Sequence, residues 1–458
     1  MFVYIIFLPG LNVQLNLNNE IKVFNLMCRE VKDSHTGINI KNWLKSGQEL
    51  FNIEDHQILG ISIDSASNMT LGASLFIDQL ENYKEKEDNV DVMQPFDFHN
   101  IENQNDCDEM IEVEEDVELI DNAIRIHCVV HRLQLGVNDF LLKNKTYSHL
   151  LSAARKISAK LRNPLVRIQL EQENLNMATI DQVTRWSSSF KMVERLLTLK
   201  DFCILKEPIV PGLHLSLDKW EKMTQLHNAL KPVAVLTSQL QDEKLDVSQF
   251  LFYWKTAMHK LEKVDNSASK SLRNQILLRE NLIFSNIVII TATFLDKRFY
   301  FLLSDEQKKN ARSLIRLVSS KQKSLSGIAD VESVDEITQD TVENDSFEKK
   351  MEDLAGCSFQ SNSSLKDVLH QELVEYEKIE RLKSTVSIMD FWAKQRIEQP
   401  LLSRAAIDII SVPVAEVSVE RLFSNLNFIL NKHRSVMSSA LLEDILFLRM
   451  NHKFSNDL

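Results

Sequence analysis

An acid that closes a short apolar strand is a common place for chemistry in α/β proteins, and Asp64 stands there. The run Ile58-Leu59-Gly60-Ile61-Ser62-Ile63-Asp64 is β-rich, and the turn-like Ser65-Ala66-Ser67-Asn68 follows. Ligands and metals collect beyond the C-terminal ends of such strands. The same aspartate could instead cap the next helix, since its carboxylate accepts from the free amides of a first turn. Cys128-Val129-Val130-His131 is a single CxxH with His127 beside it. Zinc needs four ligands, usually in two spaced pairs, and the chain has no CxxC and no HExxH. A buried Cys with a hydrogen-bonded His is the plainer reading. Thr184-Arg185-Trp186-Ser187-Ser188-Ser189 opens a helix. Arg185 and Trp186 could bind phosphate and stack on a base, or the serines could cap while Trp186 packs in the core. Glu420-Arg421 sits inside an apolar helix. The glutamate could face a metal, or the two could be a structural ion pair. There is no Walker A loop, no GxGxxG and no GxSxG, so nucleotide-binding and hydrolase templates fail.

The elements that must position these residues change character along the chain. The first 140 residues or so are mixed α/β. Met1–Leu8 reads as a buried strand or the edge of a truncated domain, and Leu11–Leu17 alternates as a half-buried strand. Helices are expected over about 37–51, with Ile38, Ile40, Trp43, Leu44 and Leu50 as the apolar set, over 69–80 and over 130–142, with a further strand at 123–128. From about 148 to 390 helical periodicity dominates, as in Leu226, Leu230, Val233, Leu236 and Leu240, and no glycine occurs between Gly212 and Gly327. After Pro413, Val419, Leu422, Phe423, Leu426 and Leu430 share one helix face. A basic break at 431–435 precedes a second helix with Leu441, Leu442, Ile445, Leu446 and Leu448. The domains expected are 1–145, with an acidic insert at 81–121, then 146–390, with an acidic linker at 328–356, then 391–458.

Composition narrows the class. The chain has 458 residues, 44% of them hydrophobic and 26% charged, with only 9 Gly and 8 Pro. So few turn formers argue against an all-β sandwich and for long helices. Five cysteines far apart are no disulfide framework and fit a reducing compartment. The net charge of −12 is unevenly spread. Residues 81–121 carry a net −14 and residues 330–353 a net −8, which leaves +10 on the remaining 393. Such tracts usually stay solvated and disordered, and could otherwise repel or mimic nucleic acid. Met1–Leu8 lacks the basic region of a signal peptide, and the apolar run at 287–290 is too short for a membrane span. A soluble intracellular protein is expected.

These segments together resemble the hAT transposase superfamily. Ile61–Met69 looks like the block around the family's second catalytic Asp, Ile126–Leu135 like its CxxH block, and Thr184–Ser188 like its Arg-Trp block. Thr293–Phe299 resembles its FLDPRF segment, with Lys297 in place of Pro. Phe391-Trp392, Pro400-Leu401, Val412-Pro413, Glu420–Ser424, Arg434-Ser435 and Phe447–Asn451 resemble the C-terminal dimerisation region. The resemblance runs from about residue 20 to 453.

It implies an α/β plus α architecture: an RNase H-like core, interrupted by a large all-helical insertion and closed by the dimerisation region. It also implies a carboxylate triad holding two Mg²⁺, which activate water on one side of a phosphodiester and stabilise the leaving oxygen on the other. By carry-over Asp64 is the second acid and Glu420 the third. Trp186, with Arg185, would hold an unpaired base. Cys128 and His131 would be structural neighbours of the site rather than a zinc site. Dimerisation would use Val419, Leu422, Phe423, Leu426, Leu442, Ile445 and Leu446.

The family's first Asp, on the first core strand, would fall at or before Met1, and the BED-type zinc finger of many relatives is missing. With two carboxylates of three the metal site is weak, so no cofactor is expected unless the nuclease site is restored. The expectation is a domesticated or truncated transposase-like protein, catalytically inactive, in the nucleus. It would form a homodimer, or a heterodimer with related hAT proteins, with DNA as a further partner and no membrane. The alternatives are an active Mg²⁺-dependent transposase, if the true N-terminus supplies the first Asp, and a helical scaffold with no nucleic-acid role.

Overall fold

The computed structural model describes residues 3–8, 10–17, 20–28, 33–64, 66–82, 124–182, 185–242, 245–325, 365–430 and 437–454. The acidic insert from residue 83, the acidic linker, the serine-rich stretch before 365, Thr184 and the basic break lie outside the described residues. The described residues are mostly helical with one small mixed sheet, and they divide into two compact units, Thr291–Ile410 and Phe2–Ile290 with Ser411–Leu458. The divisions between these units fall at 290/291 and 410/411.

The sheet belongs to the larger unit. Its strands are β1 (Val3–Leu8), β2 (Gly10–Leu17), β3 (Glu20–Met27), β4 (Ile58–Ile63) and β5 (Ile124–His127), in the order β3-β2-β1-β4-β5. The first three run antiparallel, and β4 joins β1 and β5 in parallel. Every residue of β4 is buried, as a central strand covered on both faces requires. Gly60 is needed there, because a Cβ would come within 2.8 Å of the Ile124 carbonyl on β5. Strand β3 was not foreseen. Its inward set is Ile21, Val23, Asn25 and Met27, but Phe24 and Leu26 on the other face are half-buried apolar residues and blur the alternation.

Helices α1 (Gly37–Leu50) and α2 (Ser67–Asn82) cover one face. Thr36 caps α1 through the Asn39 amide. The core here gathers Ile5, Leu11, Val13, Ile40, Leu44, Ile61, Ile63, Phe76 and Ile77. Ile38 and Leu50, expected on the buried face of α1, are exposed, and small Gly37 and Gly47 take that face.

A run of helices follows β5. It comprises α3 (Val129–Lys143), α4 (Lys145–Leu161), α5 (Pro164–Gln172), α6 (Trp186–Thr198), α7 (Lys200–Lys206), α8 (Leu217–Leu240), α9 (Val247–Lys263) and α10 (Ser267–Phe284). Side-chain caps start several of them: Asn144, Asn163, Asp246 and Asn266 each accept from a first-turn amide. The heptad-like set of α8 is fully buried, as its spacing predicted. Among the described residues no single helix is long and apolar enough to cross a membrane.

The chain then returns to the sheet. Gln14 donates to the Ser411 carbonyl at 2.6 Å, and the Val129 amide donates to the Val414 carbonyl at 2.9 Å. Helix α16 (Val417–Ile429) lies over β1 and β2, close enough that a Cβ on Gly10 would meet Leu422 at 2.6 Å. Helix α17 (Ser439–Asn451) lies on β3, where Asn451 bonds the Asn25 amide at 2.9 Å and its carbonyl at 2.7 Å.

The smaller unit holds α12 (Asp305–Leu325), α13 (Leu365–Lys378), α14 (Ile388–Gln395) and α15 (Pro400–Ile410), while α11 (Ile287–Phe294) contains the division between units. Its centre is aromatic. Tyr376 packs between Phe294 and Trp392 and donates to the Phe294 carbonyl at 2.8 Å. The Asp296-Lys297-Arg298 segment is a structural knot: Arg298 forks onto the buried Asp296 carboxylate at 2.7 to 3.1 Å. Lys297 lies over the Tyr300 and Tyr376 rings at 4.1 and 4.7 Å and donates to the Glu377 carbonyl.

Candidate functional site

Asp64, Cys128, His131, Arg185, Trp186 and Glu420 come from four separate sequence blocks, and all line one cavity of about 590 Å³ in the larger unit. Four elements bring them together, one of them the start of α6, which carries Arg185 and Trp186. Strand β4 ends at Ile63 and delivers Asp64. The junction of β5 and α3 delivers Cys128 and His131. Helix α16 delivers Glu420 and Arg421. Gln134, Thr237 and Gln241 close the wall from the helices that follow β5.

Asp64 is half-buried, and its Oδ1 accepts the Ala66 amide at 2.9 Å. The carboxylate thus shapes the turn into α2 and still faces the cavity. Cys128 is buried at the start of α3, where burial first, and then the Glu416 charge, push its thiol well above the ordinary range. Glu420 is at the exposed rim. Packing around it raises its carboxyl, and Arg185 and His131 pull the other way.

The Arg-Trp block divides in two. Arg185 is exposed beside the cavity. The Trp186 ring is 2% exposed and belongs to the inner face of α6. Stacking needs an open ring face, so the arrangement offers Arg185 to a ligand and keeps Trp186 in the wall. The serines act as a lock. Ser188 bonds the Gln182 amide and carbonyl, and Ser189 donates to Asp181. Asp181 is itself forked by Arg155 at 2.7 to 3.1 Å. Arg421, expected as an ion-pair partner of its neighbour, donates to the Gln241 carbonyl at 2.6 Å.

Sequence reasoning missed Glu416. It is 3% exposed, lines the cavity, and its Oε1 has no hydrogen-bond partner among the described residues. Its signal was faint: one acid in the apolar run Val412–Val417. The donors here are hard oxygens, which suit Mg²⁺. Among the described residues, however, no group of three His, Cys, Asp or Glu side chains converges to hold a metal. The described residues therefore do not fit a two-metal cage.

The residues expected to dimerise sort by burial. Val419, Leu422 and Leu446 lie in the protein's own core, Leu422 and Leu446 packed with Ile429. Leu426, Leu442 and Ile445 are half-buried against that cluster, and Phe423 is half-buried beside the cavity. Exposed instead are Phe428, Leu430, Leu441, Phe447 and Leu448.

Residues 366–452 match the hAT family C-terminal dimerisation region. The chain is also similar to human zinc finger BED domain-containing protein 4, with 23% identity over 350 residues. That alignment covers 71% of this chain, which spans 29% of the relative's length. The two findings support a hAT-derived, transposase-related protein, as the motifs implied.

Proposed function

We propose that the protein acts by association, with itself or with related hAT proteins, through the outer face of its two C-terminal helices. One observation carries this: within the segment that matches the dimerisation region, Phe428, Leu430, Leu441, Phe447 and Leu448 stay exposed. Large apolar side chains left exposed in such a segment are candidates for an interaction surface. The test is the mass in solution, set against the chain mass of 52.9 kDa.

We read the five-stranded sheet as the RNase H-like core, on the strength of its strand order and of Asp64 at the end of β4. The cavity favours a second activity, contact with DNA in the nucleus, since exposed Arg185 stands beside it. We propose contact without cleavage, because β1 holds no acid and the two-metal reaction needs more carboxylates than converge here. Phosphate contacts lose affinity steeply with salt. Binding to single- and double-stranded DNA across a salt series, with and without Mg²⁺, tests both parts. Salt-sensitive binding without strand cleavage is expected, and Mg²⁺-dependent cleavage would overturn the inactive reading.

A further inference from the structure

Helix α17 carries two exposed charges beside its exposed apolar residues. Leu441 and Leu448 are seven residues apart, so two helical turns bring them onto one stripe, and both are exposed. Ile445 lies between them, half-buried against the core cluster of Leu422, Ile429 and Leu446. Asp444 and Arg449 flank the stripe on opposite sides. At 3.6 residues per turn, Asp444 falls about 60° to one side of Leu441 and Arg449 about 80° to the other. Both are exposed, and Asp444 has no ion-pair partner among the described residues. The Arg449 guanidinium lies over the Phe428 ring of α16 at 5.1 Å. A planar guanidinium can rest on a ring and still present its N–H groups to a carboxylate.

These positions follow the logic of a two-stranded coiled coil. Leu441 and Leu448 stand at d, Ile445 at a, Asp444 at g and Arg449 at the next e. In a parallel pair each g faces the following e of the other strand, five residues on, so Asp444 meets Arg449 of the partner subunit and the contact occurs twice. In an antiparallel pair g meets g and e meets e, which sets acid against acid and cation against cation. We propose that α17 pairs in parallel with α17 of a second copy, and that reciprocal contacts between Asp444 and Arg449 set the orientation and select the partner. The stripe is short, and Phe428 beside Arg449 extends the patch it buries. The inference rests on the association proposed above and adds the orientation and the specificity of that face.

The experiment measures self-association of the full chain by sedimentation equilibrium. Wild type is compared with Asp444→Arg, with Arg449→Asp, with an equimolar mixture of the two, and with the double variant that exchanges the charges. Each single variant turns both contacts of its own dimer from attractive to repulsive, and should weaken self-association about tenfold or more. In the mixture one copy supplies only cations and the other only acids, so affinity should return to that of wild type. The double variant should recover as well. Recovery on mixing also shows that the single variants fold. Single variants that associate as tightly as wild type, or a mixture that associates no better than either alone, would overturn the proposal and leave association through Phe428 standing. A wild type that stays at the chain mass of 52.9 kDa would overturn the association itself, and this inference with it.

Discussion

The backbone N–H of Glu416 points at the Sγ of Cys128 from 3.5 Å, across 288 residues of sequence. Beside it the Val129 amide is donated to the Val414 carbonyl. These contacts fasten the returning C-terminal segment to the junction of β5 and α3. Because Asp64 leaves the neighbouring strand β4 and Glu420 follows one turn after Glu416, the same fastening brings both acids to one cavity.

The fastening makes Cys128 a neutral, enclosed thiol. Site-resolved alkylation at pH 8 should leave Cys128 unmodified until the protein unfolds. Cys203, pushed up to about 12 by burial, should behave likewise. Cys28 is half-buried, and burial with the Glu443 charge pushes it up to about 11 from 9.0. Its thiolate fraction, and so its rate, should fall about a hundredfold. Native labelling of Cys128 at the rate of a free thiol would contradict the packing.

The core and the outer face of α16 should respond differently to change. Leu422→Ala removes a fully buried side chain and should cost about 2–5 kcal/mol. Phe428→Asp alters an exposed residue whose internal partner is Arg449, 5.1 Å from the ring. It should cost about 1 kcal/mol or less. Urea unfolding followed by circular dichroism distinguishes them, and equal losses would count against the assignment of faces.

The lock before Arg185 should depend on acid. Burial would raise the Asp181 carboxyl, but bonds from Arg155 and Ser189 hold it below its ordinary 3.8. A carboxyl lowered in the folded state stabilises at pH values above its unfolded pKa. That contribution is lost as pH falls through the lower folded value. Asp181→Asn should therefore destabilise the protein near neutral pH, with the difference closing as pH falls below about 3.8. A gap that persists unchanged in strong acid would show that the ion pair is not its source.

Glu416 should show the opposite sign. Its carboxyl is raised in the folded state, so the folded protein binds a proton that the unfolded chain gives up. Stability then falls as pH rises above the unfolded value of 4.5 toward the folded one. Glu416→Gln should melt higher than wild type at pH 8 and level with it at pH 4. Equal melting at pH 8 would mean that the carboxyl has a partner.

Strongly periodic or strongly punctuated elements were legible in the sequence. The alternation of Leu11–Leu17, the helical spacing of Leu226–Leu240 and the β-run ending at Asp64 all correspond to observed elements. Strand β3 was not, because Phe24 and Leu26 make its outer face apolar as well. The site residues were legible as four blocks, but the buried state of Trp186 was not. Helix spacing cannot say whether a first-turn aromatic faces in or out, and here Ser188, Ser189 and Asp181 fix the turn that sends it inward. Leu422 and Phe428 show the same limit. Both are apolar residues on α16, and only packing against Gly10 and Leu446 sends one inside.

The most direct measurement of the association is the solution mass of the full chain by light scattering, wild type against Phe428→Asp, with circular dichroism on the same samples. Wild type should run at twice 52.9 kDa or as a concentration-dependent mixture approaching it, and the variant should fall to the chain mass with its helical spectrum intact. A wild type that stays at the chain mass at every concentration, or a variant that remains a dimer, would contradict association through this face.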